Sequence, residues 1–376
     1  MSTTVSGDVA EGFGPVADAY AATLDEHGSA GGACAAYVDG ELVVNLWAGR
    51  AGSGPWSAST RSVVFSVSKG ITALCLLMAA EGGDLALDDR VVVHWPEFGI
   101  HGKDRLTVRE LLAHRGGLPL PLAPLTREDV LAWHPVTAAL AQQAPMWKPG
   151  QHFAYHPLTM GWLAGEVLRR ATGLRPHQWL QDRIAKPLGL ATTFGTEGTS
   201  DAPAPILPEP KEAGITAADS VAGDVLEQAM TMHGAFQGED LFEIANTTDF
   251  LEAEVAAANL VSSARDLARL YAATVGHIDG VRLIDDATLA DAIRPCSQGT
   301  PILGPDEGLR WGAGFMLESP RRPMLGPGSF GHDGAGGQLA IANAASRASL
   351  AFQTTQPGTH DDDRANAISA ALLACL

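Results

Sequence analysis

The chain has 376 residues, and its 43 acidic residues outnumber its 25 lysines and arginines, which gives a formal net charge of −18. At about 150 residues per domain, this length predicts two domains or one elaborated domain with a large core. The acidic balance argues against nucleic acid and against an anionic membrane surface as partners, because both bind through clustered Lys and Arg. A hydrophobic content of 46% with 18% charged residues excludes a disordered chain.

The sequence also predicts the compartment of the protein. No apolar run approaches the roughly 20 residues of a membrane-spanning helix. Residues 1–14 lack a basic start followed by an apolar stretch, so we expect no secretory signal. The four cysteines are scattered without CxxC spacing, which is typical of thiols in a reducing compartment. We therefore expect a cytoplasmic protein without disulfide bonds or a zinc site.

Both ends of the chain combine a helix with short strands. Residues 13–27 have apolar side chains at helical spacing, and residues 33–49 form two apolar runs joined by Asp39-Gly40, a strong hairpin signal. Near the other end, residues 338–354 have a second hairpin pattern, and residues 363–376 are predicted to be helical. We expect antiparallel strands from both termini to join one sheet.

The middle of the chain, residues 84–259, is predicted to be mainly helical. Helical segments occur at 107–114, 126–143, 158–172, 176–186 and 222–234. Residues 196–220 contain four prolines and no clear period, and a loop of that length is typical of a lid or a binding loop. The predicted fold is therefore α+β, an α/β sandwich of residues 1–83 and 260–376 with a helical insertion at 84–259. The lid-like loop of this insertion is predicted over 196–255.

A possible nucleophile begins a predicted helix at Ser66. Apolar residues at 67, 71, 74 and 78 form a helical stripe, and Lys69 lies on the same face as Ser66. A serine hydroxyl needs a base, and an ammonium group can serve only if burial lowers its pKa. The positive end of the helix dipole favours that direction. The alternative is a serine that caps the helix and a solvated lysine.

Two further segments support chemistry at Ser66. Tyr155 falls just before a predicted helix, where its side chain can project from a loop into a cleft. Residues 330–337, FGHDGAGG, precede the predicted strand 338–344. So many glycines allow the backbone to approach a ligand closely, and exposed N–H groups there can hold an oxyanion. The absence of G-x-S-x-G argues against an α/β-hydrolase nucleophile elbow.

The motifs S-x-x-K at 66–69, Tyr155 before a helix and H-x-G at 332–334 before an edge strand resemble the serine β-lactamase and penicillin-binding-protein superfamily. The phrases LTVRELLAHRGGLP, RIAKPLGLATT and SSARDLARLYA are similar to the branch that contains class C β-lactamases, D-aminopeptidases and family VIII carboxylesterases. The resemblance covers residues 15–355 and implies a β-lactamase-like fold with its site in a cleft between the two parts of the chain.

The resemblance also implies roles for the matching residues. Ser66 would form the acyl-enzyme, and Lys69 would share its proton. Tyr155 would be the partner base and later the acid toward the leaving group. The backbone N–H groups of Ser66 and Ala335 would form the oxyanion hole. The family needs no metal or organic cofactor, and none is predicted here.

Substrate contacts are predicted at four further positions. The resemblance places His332 where the family has a lysine, so it would bond the tyrosine or the substrate, with Gly334 beside it. His156 follows Tyr155 directly, and Trp311 is a candidate for the acyl-pocket wall. A structural role is the alternative for His332, His156 and Trp311.

Two departures from the β-lactamase pattern favour esters. Pro157 stands where the Y-x-N motif has an asparagine, and a neutral imidazole beside Asp333 is a poor receptor for a β-lactam carboxylate. We therefore predict a serine carboxylesterase that cleaves short-chain esters, uncharged or cationic, through an acyl-enzyme. The alternatives are a D-aminopeptidase or amidase, a β-lactamase, an acyltransferase to an alcohol or amine, and an acyl-binding sensor without turnover.

Overall fold

The computed structural model describes residues 4–27, 30–196, 202–208, 221–236, 241–358 and 362–376. Its strands are β1 (Val5–Val9), β2 (Gly31–Val38), β3 (Glu41–Ala51), β4 (Gly54–Pro55), β5 (Ser62–Val63), β6 (Thr193–Phe194), β7 (Leu260–Ser262), β8 (Arg310–Trp311), β9 (Met316–Leu317), β10 (Ser329–Gly334), β11 (Gln338–Asn343) and β12 (Ala348–Thr354). Its helices in the first half are α1 (Gly14–His27), α2 (Val67–Glu81), α3 (Val91–His94), α4 (Val108–Leu112), α5 (Arg127–Leu131), α6 (His134–Gln142) and α7 (Thr159–Thr172). The later helices are α8 (Pro176–Leu180), α9 (Lys186–Leu188), α10 (Val221–Met230), α11 (Leu241–Ile244), α12 (Thr248–Glu252), α13 (Ala264–Val275), α14 (Asp286–Ala292) and α15 (Arg364–Leu373).

One large antiparallel sheet joins the two ends of the chain. Its strand order is β1-β3-β2-β12-β11-β10-β9-β8, with β4 paired to β3. The N-terminal β2 pairs with the C-terminal β12, so that Ala35 lies opposite Ala351. The predicted α+β fold, with a sheet built from both termini, is confirmed.

Helices cover both faces of this sheet. Along β2, Cys34 and Ala36 face the cluster that contains α1 and α15, whereas Ala33, Ala35 and Tyr37 face the cluster that contains α13. Successive side chains of a strand point to opposite faces, so a strand covered on both sides is apolar at every position. This explains the unbroken run of small apolar residues in β2.

A second, three-stranded sheet of order β5-β7-β6 connects the sheet part to the helices. Ser62 of β5 lies opposite Ser262 of β7, and three residues connect β5 to α2. Helix α2 is buried on nearly all sides, at twelve of its fifteen positions. The sequence predicted a single apolar stripe on α2, but the buried surface of the helix is much wider than this stripe. The reason is that α2 lies between the sheet and the helices.

The helices of residues 84–259 differ from the predicted segments in two ways. The short helices α3, α11 and α12 lie outside every predicted segment, because four or five residues are too few to show a helical period, and one predicted segment is divided. The segment 126–143 is two helices, α5 and α6, because Trp133 between them has a positive φ of 65° and Pro135 lies in the first turn of α6. The division of the chain at residues 84 and 260 stays a prediction, as does the lid-like loop. Residues 197–201, 209–220 and 237–240 of that loop lie outside the described residues.

Five strands of the large sheet were not predicted. They are β1, β4, β8, β9 and β10. The strand 338–344 was expected at an edge of the sheet, after a glycine-rich loop, but β11 lies inside the sheet and residues 329–334 form its neighbour β10. Gly331 explains why a strand here contains glycine, because a Cβ at this residue would lie 2.2 Å from the Ala340 carbonyl oxygen.

The cytoplasmic location was predicted from the cysteines and from the lack of a membrane-spanning segment, and the structure describes both features. All four cysteines are free thiols, with Cys34 and Cys75 buried. Among the described residues, no helix has both the length and the apolar character needed to cross a membrane. The cytoplasmic location itself stays a prediction.

Candidate active site

Ser66 lies at the start of α2, where a contact with β7 and a sharp turn fix its position. The backbone N–H of Val64 donates to the Leu260 carbonyl of β7. Phe65 has a positive φ of 47°, a conformation that is strained for a residue with a side chain and that turns the chain sharply into the helix. The Ser66 side chain makes no capping hydrogen bond, which leaves its hydroxyl free for other contacts. The interpretation as a helix-capping serine is therefore wrong.

Lys69 lies one helical turn below Ser66 and is fully buried. Its Nζ donates to Ser66 Oγ at 2.9 Å and to the Ala257 carbonyl oxygen at 2.9 Å. Burial lowers the pKa of Lys69 to about 7, against a smaller opposing effect of the Asp333 charge. The interpretation of Lys69 as a solvated side chain is therefore wrong, and a neutral amine is accessible near neutral pH.

Tyr155 completes the contacts of Ser66 from a loop before α7. Its hydroxyl donates to Ser66 Oγ at 2.9 Å, across 89 residues of sequence. The Trp311 ring stacks on the Tyr155 ring with centroids 5.4 Å apart, and His114 packs against its edge at 5.0 Å. Burial raises the pKa of Tyr155 well above its usual range, although the hydrogen bond to Ser66 opposes this. The phenol is therefore neutral and donates a hydrogen bond to the serine oxygen.

The Ala257 carbonyl is a contact that the sequence did not predict. It lies in a turn that the buried Asn259 holds, because its side-chain amide donates to the Phe250 and Ala253 carbonyls. Thr72 Oγ1 of α2 donates to the neighbouring Ala256 carbonyl at 2.6 Å. A backbone oxygen has no side-chain signature, so no sequence motif marks this acceptor.

The backbone N–H groups of Ser66 and Ala335 belong to two segments of the chain that lie against each other. A Cβ at Gly334 would lie 2.4 Å from the Val64 carbonyl oxygen, so the end of β10 runs directly against the chain before Ser66. Ala335 follows at the start of a short turn and is partly exposed. Neither the Ser66 nor the Ala335 N–H donates to a backbone carbonyl in the part of the chain that the structure describes. Both donors are therefore available to a substrate oxygen.

His332 lies on β10 rather than in a loop, and only 1% of it is exposed. Its Nδ1 donates to the Asp333 carbonyl oxygen at 2.6 Å, and its Nε2 has no hydrogen-bond partner among the described residues. Burial lowers the pKa of His332, with Asp333 opposing, so the ring is neutral at pH 7. Its ring centroid lies 6.2 Å from that of Tyr155. The site thus has an acceptor where the superfamily has a lysine.

Asp333 carries the charge next to this imidazole. Its carboxylate accepts from Arg322 Nε at 2.9 Å. Burial alone would raise the pKa of Asp333, but its contacts with His332 and Arg322 outweigh burial and hold the pKa below its usual range. A carboxylate on a substrate would therefore meet a negative group that is already paired.

His156 and Trp311 were predicted to contact the substrate, but both side chains are buried. The Nε2 of His156 accepts the Leu118 N–H at 3.0 Å, and its Nδ1 donates to the Ala154 carbonyl at 2.6 Å. Both nitrogens are occupied by backbone groups, so His156 is not available to a substrate, contrary to the prediction. Trp311 is 2% exposed and supports the Tyr155 ring rather than lining an open acyl pocket.

The arrangement brings the Lys69 amine and the Tyr155 hydroxyl to the Ser66 hydroxyl. An amine that is neutral near pH 7 can take the serine proton, and a neutral phenol can give one to a leaving oxygen. A family model described as Beta-lactamase matches residues 16–374. The chain belongs to the β-lactamase family. The suspected membership in this superfamily is thereby confirmed, and the chain is a serine hydrolase of the β-lactamase fold.

Relatives within the β-lactamase family include proteins named as esterases. The "Esterase/beta-lactamase LipL" of Mycobacterium tuberculosis (strain ATCC 25618 / H37Rv) is 33% identical over 343 residues, which cover 87% of this chain and 77% of the relative. A solved structure of a family VIII carboxylesterase is 30% identical, with a TM-score of 0.87 over 99% of this chain and 100% of the other. A penicillin-binding-protein homologue from Caulobacter crescentus is 29% identical, with a TM-score of 0.89 over 100% of both chains.

Proposed function

We propose that this protein hydrolyses carboxylic esters through a covalent acyl-enzyme on Ser66. The observation that carries the proposal is the pair of 2.9 Å hydrogen bonds that Ser66 Oγ receives from Lys69 and Tyr155. One partner has a lowered pKa and the other a raised pKa, and groups whose pKa values are pushed apart are suited to act as base and acid.

Acylation follows from these contacts. The neutral amine of Lys69 takes the Ser66 proton, and Oγ forms a bond to the carbonyl carbon of the ester. The carbonyl oxygen becomes an oxyanion between the N–H groups of Ser66 and Ala335. When the bond to the alkoxy oxygen breaks, Tyr155 gives its proton to that oxygen, and the proton on Lys69 restores the phenol.

Deacylation repeats the sequence with water in place of the alcohol. A water molecule gives a proton to the same base pair while its oxygen attacks the acyl carbon. The bond to Ser66 Oγ then breaks and the serine recovers a proton, so that a carboxylic acid and the free enzyme result. The same two N–H groups would stabilise both oxyanions.

The proposed substrates are small, uncharged or cationic esters with short acyl chains. The names of the LipL relative and of the family VIII structure support ester cleavage. The neutral His332 and the paired Asp333 supply no cation for a substrate carboxylate. An ester needs neither this cation nor the amide that Pro157 replaces.

The test is sustained turnover of nitrophenyl acetate and butyrate by the wild type and by variants. We expect Ser66→Ala to abolish turnover and Lys69→Ala and Tyr155→Phe each to lose several orders of magnitude. The Lys69/Tyr155 double variant should lose little more than either single one, because groups that act as a unit are not additive. Substantial activity in folded Ser66→Ala would overturn the proposal.

The same assay separates the remaining alternatives. Cleavage of a D-amino-acid anilide at rates comparable to esters would favour an amidase. A burst that stops at one equivalent would favour an acyl-binding sensor. A new ester formed in the presence of an added alcohol would favour an acyltransferase.

β-Lactam hydrolysis is the second candidate function, because the LipL relative carries both activities in its name. We expect it to be weak, since His332 is an uncharged acceptor at the position where a β-lactam carboxylate needs a cation. The variant His332→Lys should then improve hydrolysis of a chromogenic cephalosporin. No gain in a folded variant would count against this explanation.

A further inference from the structure

A buried ion pair lies behind the turn that carries the Ala335 N–H. Only 4% of the Arg364 side chain and 5% of the Asp362 side chain are exposed. Arg364 Nε donates to Asp362 Oδ1 at 2.9 Å, and its Nη2 donates to Oδ2 at 2.5 Å. The planar guanidinium thus forms a bidentate hydrogen-bonded ion pair with the carboxylate.

The pair is in direct contact with the turn. Arg364 Nη2 also donates at 3.0 Å to the carbonyl of Gly336, one residue after Ala335. The same Nη2 donates to the Gln356 carbonyl at 3.0 Å, and so it ties the turn to the segment that leads into α15. A Cβ at Gly337 would lie 2.2 Å from Asp362 Oδ2, so the carboxylate touches the turn backbone itself.

A buried ion pair is weak as a source of stability. Removing two charges from water offsets much of their attraction, and apolar residues of similar volume often stabilise a protein as well. What an arginine fork adds is fixed geometry, because its donors are held in one plane. Here that geometry is applied to Gly336 and Gly337, which both have positive φ, at 78° and 100°, and therefore restrict the chain little by themselves.

We propose that Arg364 and Asp362 are positioning residues that hold the Ala335 N–H in line with the Ser66 N–H. This inference rests on the proposed function, because it assigns the two N–H groups to one oxyanion. Neither side chain touches the substrate. Oxyanion donors act at 2.7–3.1 Å from the developing charge, so a shift of a few tenths of an ångström weakens them in the transition state before it affects binding.

The experiment compares a nitrophenyl butyrate with its thionoester, in which sulfur replaces the carbonyl oxygen and accepts hydrogen bonds poorly. The variant Arg364→Gln/Asp362→Asn removes both charges together, so that neither stays buried alone. We expect kcat for the oxoester to fall about 10- to 100-fold with KM nearly unchanged. This fall should not exceed the fall in kcat that follows when one oxyanion donor is removed completely. The thionoester rate should change far less, so the ratio of the two rates falls.

A second variant and a control keep the test decisive. Arg364→Lys retains the charge beside Asp362 but loses the planar fork, and its oxoester-to-thionoester ratio should fall between those of wild type and double variant. Arg109→Gln breaks the more exposed ion pairs of Arg109 with Asp88 and Asp291, away from the turn, and should leave the ratio unchanged.

Two results would overturn the inference. One is a folded variant with the wild-type ratio, and the other is an equal loss for both esters, which a general loosening of the structure would produce. Failure of the proposed function has a different signature, namely turnover that survives Ser66→Ala in the wild-type background.

Discussion

Lys69 is buried, and no carboxylate of the described residues lies within hydrogen-bonding distance of its amine. Its Nζ has two neutral acceptors, Ser66 Oγ and the Ala257 carbonyl, and the ring of Tyr155 lies 5.0 Å away. Neutral acceptors compensate a buried ammonium less than a carboxylate does, which is why burial dominates the pKa of this lysine. Burial of Lys69 therefore lowers the stability of the folded protein and keeps the amine neutral and reactive near pH 7.

The first prediction concerns the pH dependence of ester hydrolysis. In the proposed mechanism Lys69 takes the serine proton only as a neutral amine, so kcat/KM should fall tenfold per pH unit below the pKa of about 7. No alkaline limb from Tyr155 is expected in the working range, since burial raises its pKa well above normal. The measurement is the pH profile of nitrophenyl butyrate hydrolysis in buffers of constant ionic strength. A profile that stays flat down to about pH 5 would contradict the role of Lys69.

The second prediction concerns the free energy of unfolding. The pKa of Lys69 is about 7 in the folded protein against 10.5 for an ordinary lysine, so the unfolded chain binds more protons between these values. Wild-type stability should therefore rise with pH across this window and be lowest below it. Lys69→Met should be more stable by about 2–5 kcal/mol below pH 7, with the gain vanishing near pH 10.5.

Urea unfolding of this variant at several pH values measures the effect. Lys186→Met is a matched control, because the side chain of Lys186 is 71% exposed. The control should differ little from wild type at any pH. A constant difference between Lys69→Met and wild type across the window would show that the buried lysine does not titrate as described.

At the scale of elements, the sequence predicted what depends on local patterns. The two hairpins and α2 follow from alternation, turn residues and helical spacing, and each is present with ends close to those predicted. Strand β10 was missed because its glycines were interpreted as a loop, whereas the close approach of Ala340 requires a residue without a side chain at Gly331. Short strands such as β8 and β9 have only two residues each, too few for any periodicity.

The same distinction between local patterns and tertiary contacts applies to the residues of the candidate site. Ser66, Lys69 and Tyr155 carry distinctive side chains in an order that a family resemblance can identify. Ala257 contributes a backbone oxygen, and the exposure of His156 depends on what packs around it. Neither property is encoded in a local pattern, so the first was missed and the second was predicted wrongly.

The third prediction tests the packing of α7 against the chain that supports Lys69. A Cβ at Gly161 would lie 2.5 Å from the Ala257 nitrogen, a backbone atom that cannot turn aside. Gly161→Ala should therefore destabilise the protein by about 1–3 kcal/mol and move the Ala257 carbonyl away from Lys69. Thermal or urea unfolding measures the first effect, and kcat for ester hydrolysis measures the second.

Gly14→Ala is the control for this substitution. Gly14 is also in a helix, and nothing lies within 4 Å of the Cβ that it would gain. We expect no loss of stability or activity in this variant. If Gly161→Ala were as stable and active as Gly14→Ala, α7 would not press on the Ala257 segment.

At the scale of the whole molecule, the antiparallel sheet brings the two chain ends together and places β10 against the segment of Ser66. Ser66, Ala335 and Tyr155 come from regions far apart in sequence, so the candidate site exists only in the complete fold. The net charge of −18 gives the molecule as a whole a negative field. Such a field acts over distances that single contacts do not reach.

The last prediction follows from this field. In about 10 mM salt the screening length is about 30 Å, whereas in about 150 mM salt it is about 8 Å, so salt removes long-range attraction and leaves local contacts. For a nitrophenyl ester with a trimethylammonium group, kcat/KM should fall roughly 3- to 10-fold over this range, and for an anionic succinate ester it should rise. Neutral nitrophenyl butyrate is the control and should change little, because only the approach of charged substrates depends on the field. Equal salt dependence for all three esters would mean that the negative charge does not act at the entrance to the site.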